Sequence, residues 1–375
     1  MFLRPAILSA LSAVSGALAG LLGGPLSAET LDTSAGRVRI DAVVQGLDTP
    51  WAIGILPGGA VLVTERGGDL VLVEDGQSRK VSGVPRVRAS GQGGLLDITI
   101  PRDFESTREI LLTYSRPMSG GAGTALAVGR LSPDGSRLTQ VRTLFQMSRG
   151  SRAGRHFGSR VVEARDGTLF ITIGDRGEGD LAQDLSVHNG SIVRINRDGS
   201  IPADNPFVGQ TGARPEIWSY GHRNPQGAAL DAQGRLWTAE HGARGGDEVN
   251  LIGKGNNYGW PVISYGVNYN GSAIGEGTAR AGMEQPRHYW DPSIAPSGLL
   301  VYSGRLWPEW EGDLFVGSLK FDYIARLDGD PLAEREQIKA GTTGRVRDIV
   351  EGPDGAIWFI SVTDGAVYRM VPDPA

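Results

Sequence analysis

Asp166-Gly167-Thr168-Leu169-Phe170-Ile171-Thr172-Ile173-Gly174-Asp175 reads as a turn, a short apolar strand and a second turn. The unit returns at residues 57–65, 233–240, 312–317 and 354–360, with a shorter echo at 109–114. Long helical periodicity is hard to find between these runs. Six units over roughly 340 residues average about 55–60 each, the length of a propeller blade with long loops. A pair of β-sandwiches would call for a linker near the middle, and the chain has none. A β-helix would repeat more tightly. The pattern therefore predicts an all-β chain folded as a six-bladed β-propeller of four-stranded blades. That architecture brings loops from every blade to one mouth of a central channel.

Composition narrows the functional classes. The 56 glycines among 375 residues punctuate turns. A net charge of −5 speaks against nucleic-acid partners, which select a basic face. It leaves room for an anionic small ligand, because a basic site can sit on an acidic protein. With no cysteine, disulfides, iron–sulfur clusters, thiolate zinc sites and Cys nucleophiles are excluded. Arg4, the small apolar run 6–22 and Leu26-Ser27-Ala28 form an export signal with a cleavage point. We expect a leader over 1–28, a single mature domain over 29–375 and a periplasmic or secreted protein. No later run is apolar enough to span a bilayer.

Chemistry-bearing residues cluster at strand ends and Gly turns. Gly221-His222-Arg223-Asn224-Pro225-Gln226-Gly227 sets a fixed cation between glycines after a strand-like run. Arg there offers a planar fork of donors suited to a carboxylate or phosphate. Gln92 lies in Gly91-Gln92-Gly93-Gly94, His156 in Arg155-His156-Phe157-Gly158-Ser159-Arg160, and Lys320 closes Ser318-Leu319-Lys320. Arg345 and Arg347 alternate across Val346, so both face one side of a strand. Each also has an ordinary reading: Arg345 and Arg347 pairing with Asp348 and surface acids, Lys320 solvated, Asp175 capping its turn, Asp247-Glu248 a plain acidic loop.

These segments resemble, in order and over nearly the whole mature chain, the soluble pyrroloquinoline-quinone (PQQ) sugar dehydrogenases of the glucose/sorbosone dehydrogenase family. The chain is most similar to their periplasmic aldose-oxidising branch. Further matches are residues 242–251, Asn257-Tyr258-Gly259-Trp260-Pro261 and Arg345-Val346-Arg347-Asp348. The resemblance implies an enzyme that oxidises the C1 hydroxyl of aldoses and passes electrons to an external acceptor. It implies His156 as general base, Asp175 as its partner and Arg223 beside the quinone oxygen. PQQ would be cradled by Gln92, Arg223, Asn224, Tyr269, Ser318, Leu319, Lys320, Arg345, Val346 and Arg347. One Ca²⁺ would take backbone oxygens of Gly242 and Ala243, and a structural one would be held by Asp247, Glu248 and Tyr258. The chain would work as a monomer or homodimer. Arg155, His241, Ala243 and Asp291-Pro292-Ser293 depart from the glucose-oxidising members, so glucose preference is not implied. A Ca²⁺-dependent propeller lactonase and a non-enzymatic glycan- or protein-binding propeller are the alternatives.

Overall fold

Each of the six sequence units becomes the second strand of its own antiparallel sheet: Val61–Glu65, Glu109–Met118, Leu169–Ile173, Leu236–Glu240, Leu314–Ser318 and Ile357–Ser361. The reason is burial. A second strand is paired on both edges and covered on both faces by neighbouring sheets, so it reads as an unbroken apolar run; Leu169–Ile173 and Ile357–Ser361 are buried at every position. The computed structural model describes residues 28–374. The expected leader lies outside the described residues, save for Ala28. Among the described residues, no helix is long and apolar enough to cross a membrane.

The sheets are the six blades of a propeller. Blades 1 to 5 span residues 50–81, 95–146, 161–220, 225–290 and 296–338. The first strand of each blade packs against the first strand of the next, and blade 6 returns to blade 1, closing the ring. Blade 6 (Val346–Glu351, Ile357–Ser361, Ala366–Pro372) is completed from the other end of the chain: Gly36–Val44 pairs with Ala366–Pro372, Val38 opposite Pro372. The expected four-stranded blades hold five times. Blade 6 has a fifth strand, Glu29–Thr33, folded back on the outer edge of Gly36–Val44.

Neighbouring blades are fastened by hydroxyls near the axis. Thr64, Thr113 and Thr172 occupy equivalent places in the second strands of blades 1–3. Each accepts a hydrogen bond from its own first strand, from the amides of Ala52, Asp97 and Arg160 at 2.9–3.0 Å. Each donates to the next blade, to the carbonyls of Leu96, Ser159 and Pro225. In blade 5 the equivalent residue is Gly317. There Ser297 Oγ reaches across to Val346 O at 2.6 Å, and a Cβ on Gly317 would stand 2.4 Å from that hydroxyl.

Ring closure by the N-terminal strand predicts its own energetics. Ile40 is fully buried in the blade 5–6 core with Trp310, Phe315 and Phe359. Ile40→Ala should cost about 2–5 kcal/mol, read as a lower denaturant midpoint with an unchanged slope. A wild-type midpoint would show that this strand does not hold the ring.

Candidate active site

Strand direction sorts the loops into two mouths. The start of each first strand and the end of each second strand share one mouth. Two cavities mark the ends of the channel. One, of about 580 Å³, is lined by Trp51, Arg66, Gln92, Asn224, Gln226, His241, Ala295, Leu319, Lys320, Arg345 and Arg347, all from first-strand starts and second-strand ends. The other, of about 650 Å³, lies at the far ends of the first strands and mixes aliphatic side chains such as Ile53, Ile98, Leu299 and Ile349 with Arg102, Arg305 and Glu351. Between them stands a buried ion triad. Arg160 Nη1 lies 2.8 Å from both Asp97 Oδ1 and Asp348 Oδ1.

His156 is held as a base. Its Nδ1 is 2.6 Å from Asp175 Oδ1. The carboxylate accepts, so Nδ1 carries the proton and Nε2 keeps its lone pair. Asp175 is itself fixed, by the indole N–H of Trp260 at 2.8 Å on Oδ2 and by the Gly177 amide at 2.6 Å on Oδ1. The His156 backbone sits at φ 56°, an uncommon conformation for a residue with a Cβ. The surroundings impose it. Its amide donates to Gln92 Oε1 at 2.7 Å, and its carbonyl presses on Gly174, where a Cβ would come within 2.2 Å. Asn224 Oδ1 ties down the following turn through the Gly158 amide at 3.1 Å. Burial pushes the imidazole below its ordinary range, and the charge of Arg223 adds to this against the opposing bond to Asp175. Burial alone would raise the Asp175 carboxyl. The hydrogen bond and charge of His156, with the Gly177 amide, outweigh it and hold the group below the usual carboxylate range.

The cavity beside this pair is cationic without counter-ions. Arg66, Lys320, Arg345 and Arg347, which line it, and Arg223, which lines the small cavity of Glu240 and Glu248 next to it, make no ion pair with a carboxylate among the described residues. Arg347 donates to Gln226 Oε1 at 2.8 Å and lies 4.5 Å from the Trp51 ring. Burial, with Arg160 next to it, pushes its pKa down to about 9, so it remains charged at neutral pH with no anion to meet. Arg345 reaches Leu319 O at 2.9 Å, and Arg223 stacks 5.2 Å from Trp260. The indole N–H of Trp51 and Nε of Arg223 are buried without a partner. Several cations, orphaned donors and one flat indole suit a planar polycarboxylate. Arg66 and Trp51 were not singled out in the sequence. Arg66 was findable, because it follows its second strand as Asp175 and Lys320 follow theirs.

The remaining expectations divide. Gln92, Asn224, Leu319, Lys320, Arg345 and Arg347 line the cavity. Ser318 and Val346 support it from behind: Ser318 Oγ donates to Ile294 O at 2.9 Å, and Val346 is in the core. Tyr269 is 75% exposed and not part of the lining. Asp247 is committed elsewhere, accepting from the Gly242 amide, Ser293 Oγ and the Ala295 amide at 2.6–2.9 Å. The carboxylate that accompanies Glu248 is Glu240. Both line a cavity of about 20 Å³ with Gly242 and Tyr258, room for a single ion or water. Burial and the Glu240 charge push Glu248 well above the usual carboxylate range, and Asn250 Oδ1 is orphaned close by. The Tyr258 hydroxyl is occupied, donating to Leu251 O at 2.7 Å, which leaves its backbone carbonyl. One buried and one half-buried carboxylate with an unpartnered amide oxygen suit a hard cation.

Comparison with known proteins follows the same line. The family model described as Glucose / Sorbosone dehydrogenase matches residues 47–369. The chain is 44% identical over 345 residues to Aldose sugar dehydrogenase YliI of Escherichia coli (strain K12), covering 89% of this chain and 93% of that one. It is similar to the crystal structure of the soluble aldose sugar dehydrogenase from Escherichia coli in the apo-form, at 42% identity and TM-score 0.86 over 90% of this chain and all of the other. It is also similar to the PQQ-bound form of an aldose sugar dehydrogenase from Streptomyces coelicolor, at 25% identity and TM-score 0.74, over 89% of this chain and 98% of that one.

The His156–Asp175 geometry sets a pH dependence. A base must be neutral to work, so a reaction using His156 falls off as pH drops through a pKa below the ordinary value of about 6.5. Asp175 raises that pKa. Asp175→Asn should therefore move the acid limb to still lower pH and reduce kcat by about 10²–10⁴-fold, through loss of tautomer and orientation. An unchanged limb and kcat would remove Asp175 from this role.

Proposed function

The chain belongs to the glucose/sorbosone dehydrogenase family, and from that membership we propose that it oxidises the C1 hydroxyl of aldose sugars to the lactone with PQQ and Ca²⁺, handing electrons to an external acceptor. One observation carries the reading: an oriented imidazole is tied through its amide to Gln92, and Gln92 lines a cavity ringed by unpaired cations. When bound, PQQ supplies an ortho-quinone carbonyl that accepts hydride.

The protein's residues do the rest. Nε2 of His156 takes the hydroxyl proton of the sugar, and Asp175 steadies the imidazolium. Arg223, close enough to depress His156, sets a fixed positive charge where negative charge develops. Arg345, Arg347 and Lys320 would meet carboxylates of the cofactor. Gln92 and Asn224, which hold the turn carrying the base, would also contact it. The indole of Trp51 provides a flat surface. A structural Ca²⁺ would be held by Glu248 and Glu240 with the backbone oxygen of Tyr258 and would compensate Glu248, which burial and the Glu240 charge push up, while a Ca²⁺ beside the cofactor would take backbone oxygens of Gly242 and Ala243. A lactonase would need free carboxylates on the channel axis. Asp97 and Asp348, which lie there, are both held by Arg160 and by backbone amides.

Two measurements test this reading. Losing one charge-assisted contact costs about 1.5–3 kcal/mol, so Arg345→Ala or Arg347→Ala should weaken PQQ binding roughly 10- to 150-fold. Excess PQQ should restore much of their activity. It should not restore His156→Ala, whose kcat should be lower by about 10²–10⁴-fold with cofactor binding intact. Equal PQQ affinity in wild type and both arginine variants would make these surface charges. Second, exhaustive chelation should lower the melting temperature and abolish activity, and Ca²⁺ should restore both, because the ion binds only the folded state. A melt unmoved by chelation would count against the metal.

A further inference from the structure

Outside the cavity, the mouth over blades 1–3 is unusually basic for a chain of net charge −5. The loop into blade 2 carries Arg86 and Arg88, and the loop into blade 3 carries Arg149, Arg152 and Arg155. The two loops lie side by side: the Gln92 amide donates to Gly154 O at 2.7 Å, and a Cβ on Gly91 would come within 2.2 Å of that oxygen. Arg86, Arg88, Arg152 and Arg155 are exposed. None of these four pairs with a carboxylate among the described residues. Of the acids on neighbouring loops, Glu178 pairs with Arg149 at 3.1 Å and Asp69 with Lys80 at 2.5 Å, and the exposed Asp180 and Asp184 are outnumbered by the free arginines. These arginines do not line the cavity, so its ligand does not account for them.

Arg160, Asp97 and Asp348 stand on the axis beneath the cavity, so the cavity faces solvent at the mouth that this rim surrounds, and a carrier docked there comes nearer to it than one docked at the far end of the channel. Building on the dehydrogenase reading, we propose that the arginine rim over blades 1–3 is the docking surface for an acidic one-electron carrier protein. Each aldose gives up two electrons and two protons, from its C1–H and its hydroxyl. The electrons pass singly to two carrier molecules, which are reduced. The protons go to solvent, and the site returns to its oxidised state. A basic rim beside the exit steers an acidic partner into productive orientation, and such steering raises association rates by about 10–10³-fold at low salt.

The test compares wild type with the triple variant Arg86→Glu/Arg88→Glu/Arg152→Glu, which spares every residue placed in the cavity or beside the base. Both are loaded with PQQ and Ca²⁺ and supplied with an aldose. Acceptors are an acidic c-type cytochrome, a basic c-type cytochrome and 1,4-benzoquinone, a small neutral oxidant. Wild type should reduce the acidic cytochrome much faster than the basic one, with a second-order rate that falls steeply as salt shortens the screening length to about 8–10 Å. The variant should lose about tenfold or more of that rate at low salt and most of its salt dependence, with benzoquinone turnover unchanged. Equal acidic-cytochrome rates in both proteins, with benzoquinone turnover intact, would overturn the proposal. So would unchanged cytochrome kinetics with binding to anionic phospholipid vesicles that the variant loses, which would assign the rim to a membrane surface. If neither protein reduces benzoquinone, the dehydrogenase reading fails. Calorimetric binding of the acidic cytochrome then decides the rim by itself: tighter binding to wild type than to the variant supports it, and no difference sinks it.

Discussion

The guanidinium of Arg160 is the point at which the propeller is tied together and divided. Nη1 bridges Asp97 of blade 2 and Asp348 of blade 6, Nε donates to Gln226 O of blade 4 at 2.7 Å, and Nη2 to Arg347 O at 3.2 Å. Its face lies 4.4 Å from the Trp51 ring of blade 1. Its own backbone enters blade 3, so five of six blades converge on one side chain. Each acid is also anchored, Asp97 Oδ2 by the Val161 amide and Asp348 Oδ2 by the Ile53 amide. Buried charge of this kind is costly to desolvate, and replacing it by apolar packing is often neutral or better for stability. Its worth lies in placement. The charges cross-link first strands that share no backbone hydrogen bonds, and they give the cavity above a polar floor from which Gln226 and Arg347 are positioned.

Legibility in the sequence followed burial. Second strands are enclosed on both faces, so all six stood out. Outer strands such as Gln77–Val81 and Ala333–Ile338 are largely solvated, and their polar sequences resemble loops. The closing pair, Gly36–Val44 with Ala366–Pro372, joins opposite ends of the chain, and no local signal reports that pairing. At the site, His156, Asp175 and Arg223 were visible through their motifs. Glu240 was not. It ends a second strand as an ordinary acid would, and its meaning comes from accepting bonds from His222, the Arg223 amide and Asn250 while facing Glu248. Asp247 faces away from Glu240 for a complementary reason. Adjacent acids on a strand point to opposite faces, so only one of Asp247 and Glu248 can look toward Glu240.

Strain gathers where the chemistry is expected. Of the ten non-glycine residues with positive φ among the described residues, Thr49, His156, Ser159, Ala295 and Arg345 lie at or just before the start of a first strand, and Arg176 and Asp322 lie just beyond the end of a second. Both places belong to the mouth that holds the cavity. A short link between radial strands must turn sharply, and a left-handed residue turns it without lengthening the loop. The geometry that closes the propeller thus also aims side chains inward. His156 and Arg345 are held in strained turns by neighbours, Gln92 for one and the Asp322 carboxylate, 2.8 Å from the Arg345 amide, for the other.

Charge follows the same division of labour. Asp97, Asp348, Glu240 and Asp175 are each satisfied by an Arg, His or backbone donor below or beside the cavity. Arg223, Arg345, Arg347 and Lys320 are left with neutral contacts, chiefly carbonyls and aromatic faces. Unpaired cations so close together repel one another, and Arg347 is depressed first by burial and then by the charges of Arg160 and Arg345. Folding therefore holds together a cluster that is electrostatically unfavourable on its own. Such a cluster is most stable when an anion enters it, which couples the stability of the mouth to the ligand that the mouth is built to hold.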